Sequence, residues 1–303
     1  MPEQSSEQPF QPEQIKAVRP SYVVDKENEV RMKELYPYMK DPEKLKYITS
    51  VFEDALGQEL LERFRVEGKP VQILEIGAGD GIVGKFLQEY LEAKGVKVEM
   101  TLSDFNENVL REVQKNGKYT FDAVVADNKA LPFKGEAFDI VLARSVTHYE
   151  LTDAEEIKVL EEVKRSLKEG GMFIDQTPSF PTNIEVDLWK RVNALVGRGA
   201  NMKTTDKTEA MLKNVFGVDN VKRAEEQPPK IHQDEQSFVV RHRLKSDAEK
   251  ALTQDQVITQ ARAIIEDISV EERPDFTVSK DGFAWEVTFT IFTCKKEQEV
   301  GQE

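Results

Sequence analysis

Three acids stand at the ends of short β-rich runs: Glu75 in VQILEI, Asp104 after VKVEMTLS and Asp127 after FDAVVA. The first sits in LEIGAGDG, residues 74–81, where Gly77, Ala78, Gly79 and Gly81 are interleaved with the carboxylates of Glu75 and Asp80. Small residues after a strand let a ligand approach the backbone closely. Gly79-Asp80-Gly81-Ile82-Val83-Gly84 also satisfies G-x-G-x-x-G, the pattern that seats a pyrophosphate at a helix N-terminus. In that pattern the first glycine follows the strand directly, whereas here Gly77 and Ala78 intervene.

The charges separate two chemistries. A diphosphate brought against Glu75 and Asp80 meets like charge at a cost of about 1–4 kcal/mol per pair at the dielectric of a half-exposed site. A cation is attracted by the same carboxylates. S-adenosylmethionine carries a sulfonium and an ammonium, and the amides of a helix N-terminus suit its single carboxylate.

The elements that position these residues follow a βα rhythm. VQILEI (71–76) precedes a helix through Tyr90, VKVEMTLS (96–103) a helix from about Asn106, and FDAVVA (121–126) a loop, with FDIVLA (138–143) next. Thr152-x-x-Glu155 opens a helix expected to run to Lys168 and to stop at Gly170-Gly171, and MFIDQT (172–177) reads as a further strand. Near-continuous apolar strands alternating with helices indicate a parallel sheet covered on both faces. The expected fold is therefore α/β, a doubly wound Rossmann-like sheet of seven strands, mostly parallel with an antiparallel last strand, plus N-terminal helices and a helical insert as a lid. The boundaries are a disordered tail over 1–20, a helical cap over 21–70, the ligand-binding α/β domain over 71–196, a lid over 197–282 and a final strand with an acidic tail over 283–303. Within the lid, helices are expected at 206–216 and 253–268, the second opened by Thr253-x-x-Gln256. Asp281-Gly282 marks a tight turn, after which Phe283, Trp285, Val287, Phe289 and Ile291 alternate with Ala284, Glu286, Thr288 and Thr290.

With those motifs in order, residues 71–178 resemble the class I S-adenosylmethionine-dependent methyltransferases, in particular the small-molecule type of quinone biosynthesis and amine methylation. LEIGAGDG looks like the family's first motif, and FDIVLARSVTHYE and VLEEVKRSLKEGGMFIDQTP look like its fourth-strand motif and its closing helix-turn-strand. The resemblance implies that Asp104 holds the ribose hydroxyls and that Asp127, with its neighbour Asn128, meets the adenine amino group. Each has a plainer reading: Glu75 as a strand-end acid, Asp104 as the cap of the next helix, Asp127 as a turn former. Phe105 either stacks on adenine or packs. The expected cofactor set is Glu75, Gly77, Ala78, Gly79, Gly81, Asp104, Phe105, Asp127, Asn128 and Arg144.

On the acceptor side, Arg144, Ser145, Thr147, His148 and Tyr149 follow the fourth strand. His148 is a candidate proton acceptor near neutral pH, or else a packing residue. Displacement at a carbon activated by a sulfonium needs alignment more than a base. There is no Asn/Asp-Pro-Pro-aromatic run after that strand and no Pro-Cys nucleophile, which argues against DNA and ribosomal glutamine acceptors. Tyr36-Pro37-Tyr38 and Trp189 either line an acceptor pocket or pack in a core, and Arg241-His242-Arg243-Leu244-Lys245 either attracts an anionic acceptor or is a solvated face.

The bulk properties agree with this reading. A formal charge of −14, from 56 acidic and 42 basic residues, repels nucleic acid. No apolar run approaches a membrane span, and one cysteine among 303 residues forms neither an internal disulfide nor a multi-cysteine metal site. The expectation is a cytoplasmic methyltransferase acting on a small-molecule acceptor with S-adenosylmethionine and no metal. Its rivals are an NAD(P)-dependent oxidoreductase and a non-catalytic methyltransferase-like binding subunit. Aminopropyl transfer is a third variant, disfavoured because no polyamine-site acid cluster follows the fourth strand.

Overall fold

The computed structural model of the protein describes residues 61–62, 64–79, 81–115, 121–196, 199–225, 230–236, 238–239 and 252–297. The expected tail, most of the N-terminal cap with Tyr36-Pro37-Tyr38, Asp80 and the basic run 241–245 lie outside the described residues. In chain order the elements are β1 (Val71–Ile76), α1 (Ile82–Ala93), β2 (Val98–Asp104), α2 (Glu107–Lys115), β3 (Asp122–Val125), β4 (Phe138–Arg144), a 3-10 turn (Thr147–Tyr149), α3 (Asp153–Ser166) and β5 (Leu167–Ser179). They continue with α4 (Asn183–Ala194), α5 (Thr205–Phe216), β6 (Val221–Arg223), β7 (Ile231–Asp234), α6 (Gln254–Glu266), β8 (Phe276–Ser279) and β9 (Gly282–Lys295).

The sheet has nine strands where seven were expected: seven follow the order β3-β2-β1-β4-β5-β9-β6, and β7 and β8 pair with β9 off this path. Strands β1 to β5 run parallel, while β9 is antiparallel to β5 and β6, as expected for the last strand. The order reverses between β1 and β4, so the crevice beyond their carboxyl ends is where a ligand fits an open sheet of this kind. The continuous apolar strands have a simple cause. Residues Ile73, Met100, Leu102, Leu142 and Ile174 pack under Leu87 and Leu91 of α1, and Leu74, Val141 and Phe173 pack on the other face under Val159 and Val163 of α3.

Three expectations change. Helix α3 ends at Ser166 rather than Lys168, and β5 begins at Leu167 with Gly170 and Gly171 inside it. The register slips between Phe138 and Ile140 opposite this start, and a side chain on Gly171 would come within 2.8 Å of the Lys168 carbonyl. The glycine pair therefore serves an irregular strand start rather than a helix stop.

Residues 205–223, inside the expected lid, pack on the main sheet instead: Met211, Leu212 and Phe216 of α5 join the core under α3, and Phe216 stacks on Phe173 at 5.9 Å. Strand β6 has three residues, too few for an alternation to be read.

The alternation in β9 holds from Phe283 to Phe289 and then stops, with Thr290, Ile291 and Phe292 all buried. There the strand enters the sheet between β5 and β6, where both faces are covered. Its first half forms a hairpin with β8 across the expected turn, Ser279 opposite Gly282. Phe283, Trp285, Val287 and Phe289 join Phe180, Trp189, Val257 and Phe276 in a third core. Trp189 is thus a core residue, 2% exposed.

The helix expected at 253–268 is α6, and Thr253 and Gln256 form its full capping box. Among the described residues no helix is long and apolar enough to cross a membrane.

Candidate functional site

Gly77, Gly79 and Gly81 adopt φ of 58°, 55° and 68°, left-handed values that glycine takes without strain. The turn is held by the Ala78 N–H donating to Ser103 O at 2.9 Å and the Gly81 N–H to Ala78 O at 2.9 Å. Gly77 has a second reason to be glycine: a Cβ there would lie 2.5 Å from Val146 Cγ2, so the turn packs directly on the segment following β4.

Gly81 is the N-cap of α1 and has no side chain to cap it. Glu75 supplies that function from below, its buried carboxylate accepting the Gly84 N–H at 2.8 Å. Its charge lies against the first helical turn, where the helix dipole favours an anion.

The acid against the loop is Asp104. Its Oδ2 accepts the Gly79 N–H at 3.0 Å and its Oδ1 the Asn106 N–H at 2.9 Å. Burial pushes its carboxyl above the usual range, while the N–H groups of Asn106, Gly79 and Phe105 pull the other way. Helix α2 is capped by Asn106, whose Oδ1 accepts the Asn108 N–H at 3.1 Å, so Asp104 is not the cap.

Register sets the remaining geometry. Ile76 lies opposite Ser103 and Ala143, and Arg144 opposite Gln176, so Asp104, Gly77, Arg144 and Gln176 form one row across β2, the end of β1, β4 and β5. Gly77 sits between an acid and a guanidinium in this row, and the space its side chain would take is filled by Val146. Arg144 is buried at 8% exposure. Phe105 beside the row is 46% exposed, a large apolar face open at the end of β2.

Beyond β3, Asp127 Oδ1 accepts the Lys129 N–H at 3.0 Å, the turn-forming reading of that residue. Lys129 Nζ lies 3.7 Å from Asp127 Oδ2 and 3.0 Å from Glu150 Oε2, tying this loop to the end of the 3-10 turn. Asn128 Oδ1 is buried without a hydrogen-bond partner. A buried carbonyl oxygen in that state is suited to accept a ligand N–H.

After β4, Ser145 takes φ of 55°, unusual for a residue with a side chain, and its N–H donates to Gln176 O at 2.7 Å. His148 is 4% exposed and its ring centroid lies 4.3 Å from that of Tyr149. This places it just beyond the carboxyl end of β4, packed against Tyr149.

Sequence reasoning missed a buried polar cluster beneath this turn. Glu156 of α3 pairs with Lys203, both nearly fully buried. Asn201 donates to Asp153 Oδ1 at 2.8 Å, and its N–H donates to His148 O at 2.7 Å. Asp175, 1% exposed on β5, is pushed up to about 8 by burial and by Glu156, against the opposing pull of Thr147 and Lys203. An acid inside the apolar run MFIDQT was a readable signal, because a buried carboxyl is costly and seldom idle. Lys203, in a polar loop, gave none.

Asp104→Ala should weaken adenosyl-ligand binding at least tenfold, since it removes charge-assisted hydrogen bonds worth about 1.5–3 kcal/mol. An unchanged dissociation constant by calorimetry would remove Asp104 from the site.

Residues 73–171 match the family model described as a methyltransferase domain, a span that holds every site residue named above as far as Asp153 and Glu156. No curated protein matches the chain by sequence. Among solved structures the chain is similar to the YcgJ protein of Bacillus subtilis, at 17% identity and TM-score 0.59, covering 78% of this chain and 98% of that one. It is also similar to BH2331 of Bacillus halodurans C-125, described as a candidate methyltransferase, at 18% identity and TM-score 0.57, covering 78% of this chain and 97% of that one.

Proposed function

We propose that the chain is a class I S-adenosylmethionine-dependent methyltransferase and that it transfers the methyl group to a small-molecule acceptor by in-line displacement. The observation that carries the reading is the bond from the Gly79 N–H to Asp104. In a dinucleotide site the glycine-loop amides face a pyrophosphate. Here one of them is already held by an anion, in a place where two more negative charges would be repelled. A ligand with hydroxyls and a positive centre meets a matching surface.

The residues fit that ligand. The glycine turn leaves backbone open for close approach, and Asp104 accepts from the two ribose hydroxyls. Phe105 offers its exposed ring to adenine, and Asp127 with the orphaned Asn128 Oδ1 accepts from the adenine amino group. Arg144 holds the amino-acid carboxylate with a charge-assisted pair. The bound cofactor supplies a methyl group on a sulfonium that leaves as a neutral thioether.

The chain's own task is then to align the acceptor and exclude water. The acceptor's proton passes to solvent, and His148, packed against Tyr149, orients the acceptor end of the site. We assign the lid to residues 230–282, because the third core stands at the carboxyl end of β5, beyond the row of site residues. A cytoplasmic setting suits the single, buried Cys294.

The test is to incubate the purified chain and S-adenosylmethionine with fractionated cell extract, following S-adenosylhomocysteine release and mass gains of one CH₂. A methylated product in the low-molecular-mass fraction is expected. Methyl found only in protein or nucleic acid would contradict the acceptor class, and no release from any fraction would favour the non-catalytic subunit.

A further inference from the structure

Gln176 closes the row that starts at Asp104. Met172 and Ile174 of β5 pack in the core under α1 with Met100, Leu102, Ile140 and Leu142, so by alternation Asp104, Arg144 and Gln176 share the α1 face at the carboxyl edge of the sheet. Gln176 is 4% exposed, and its Oε1 is buried without a hydrogen-bond partner although Arg144 stands directly across the register.

The other neighbours of that amide in the sheet are apolar. Ile174 and Pro178 flank it along β5, and Ile291 and Phe289 lie opposite Gln176 and Pro178 on β9. All four are buried. An orphaned carbonyl oxygen in such a wall is costly. A ligand that brings it a donor offsets the cost. On the methyl-transfer reading the cofactor runs from Asp104 to Arg144, and Gln176 is the next position in the row, one strand spacing of about 5 Å farther on. An acceptor laid against the cofactor at this end of the row meets Gln176.

We propose that Gln176 selects and orients the methyl acceptor, and that the acceptor is an apolar molecule whose nucleophile is a neutral hydroxyl or amine. This rests on the methyl-transfer reading. Oε1 accepts the O–H or N–H of the nucleophile and turns its lone pair toward the methyl carbon. The new bond forms from that lone pair, the carbon–sulfur pair returns to sulfur, and the proton leaves to water, because an amide is too weak a base to keep it. A carboxylate brings no donor and sets oxygen against oxygen, and a thiol donates weakly. One atom thus discriminates against both.

The experiment gives the full chain S-adenosylmethionine with a deuterated methyl and the low-molecular-mass fraction of a cell extract, comparing the native protein with Gln176→Met, an apolar side chain of similar length. S-adenosylhomocysteine affinity by calorimetry should match native, because Gln176 lies beyond the cofactor residues. The Tm should not fall, because an unpaired buried oxygen is removed. Methyl transfer at limiting extract should drop about tenfold, the worth of one buried hydrogen bond. The labelled product should be an ether or a methylamine, stable to alkali and extracted into organic solvent.

Transfer undiminished in Gln176→Met, or a product that is a base-labile methyl ester or a thioether, overturns the inference while the methyl-transfer reading stands. A Tm and an S-adenosylhomocysteine affinity that fall together in the variant assign Gln176 a structural role and overturn it as well. If the native chain binds no S-adenosylhomocysteine or methylates nothing in the fraction, the methyl-transfer reading itself fails and takes the inference with it.

Discussion

Replacing Gly77 by alanine is expected to be the most damaging single methyl addition to this protein. The residue sits at φ 58°, where a Cβ costs about 1–2 kcal/mol by itself. The new Cβ would also lie 2.5 Å from Val146 Cγ2, 2.7 Å from Cγ1 and 3.2 Å from Cβ. Rotating Val146 does not clear a contact that includes its own Cβ, so the backbone of one segment must move. Such overpacking adds about 1–3 kcal/mol.

The total loss should be near 3 kcal/mol by urea unfolding, with adenosyl-ligand affinity reduced beyond detection because the glycine turn and the β4 segment separate. Gly79→Ala is the control. It has φ 55° and nothing within 4 Å of a new Cβ, so it should cost only the left-handed term of about 1–2 kcal/mol. Equal losses for the two variants would mean that Gly77 does not pack on Val146.

Lys203→Met is the second large effect. Lys203 and Glu156 are 3% and 4% exposed, and removing one partner of such a pair leaves a buried charge. Glu156 escapes by staying protonated, which at pH 7 costs a normal glutamate about 3–4 kcal/mol. That figure bounds the loss of stability.

The pH dependence identifies the cause. Burial already raises the Glu156 carboxyl, and Lys203 is what opposes the rise. Without Lys203 the folded-state value climbs further above the unfolded one. Stability tied to Glu156 is then fully present below the unfolded value and lost as pH rises through the folded one. The deficit of Lys203→Met should therefore shrink toward pH 4 and be widest near neutrality, and adding Glu156→Gln should restore most of it. A deficit independent of pH would assign the loss to packing.

The βα order and the antiparallel final strand were legible because periodicity reports burial: Ile73, Leu74 and Ile76 in β1 are covered on both faces, and β9 alternates until it enters the sheet. The glycine turn was legible because few other residues tolerate its backbone. The roles of the acids were less so. Glu75 and Asp104 are both carboxylates at strand ends, yet one caps a helix from inside and the other holds the glycine turn. Only the third dimension distinguishes them. The Glu156–Lys203–Asp175 cluster joins three segments far apart in sequence, and no local pattern announces it.

The central claim is that the crevice at the β1–β4 switch point accepts an adenosyl sulfonium or thioether and rejects a dinucleotide. Calorimetric titration of the full chain at pH 7 with S-adenosylhomocysteine, NAD and NADP tests it directly. Saturable one-site binding of S-adenosylhomocysteine, abolished by Gly77→Ala, with no heat from either dinucleotide is the predicted result. Binding of NAD or NADP at that site with none of S-adenosylhomocysteine would contradict it.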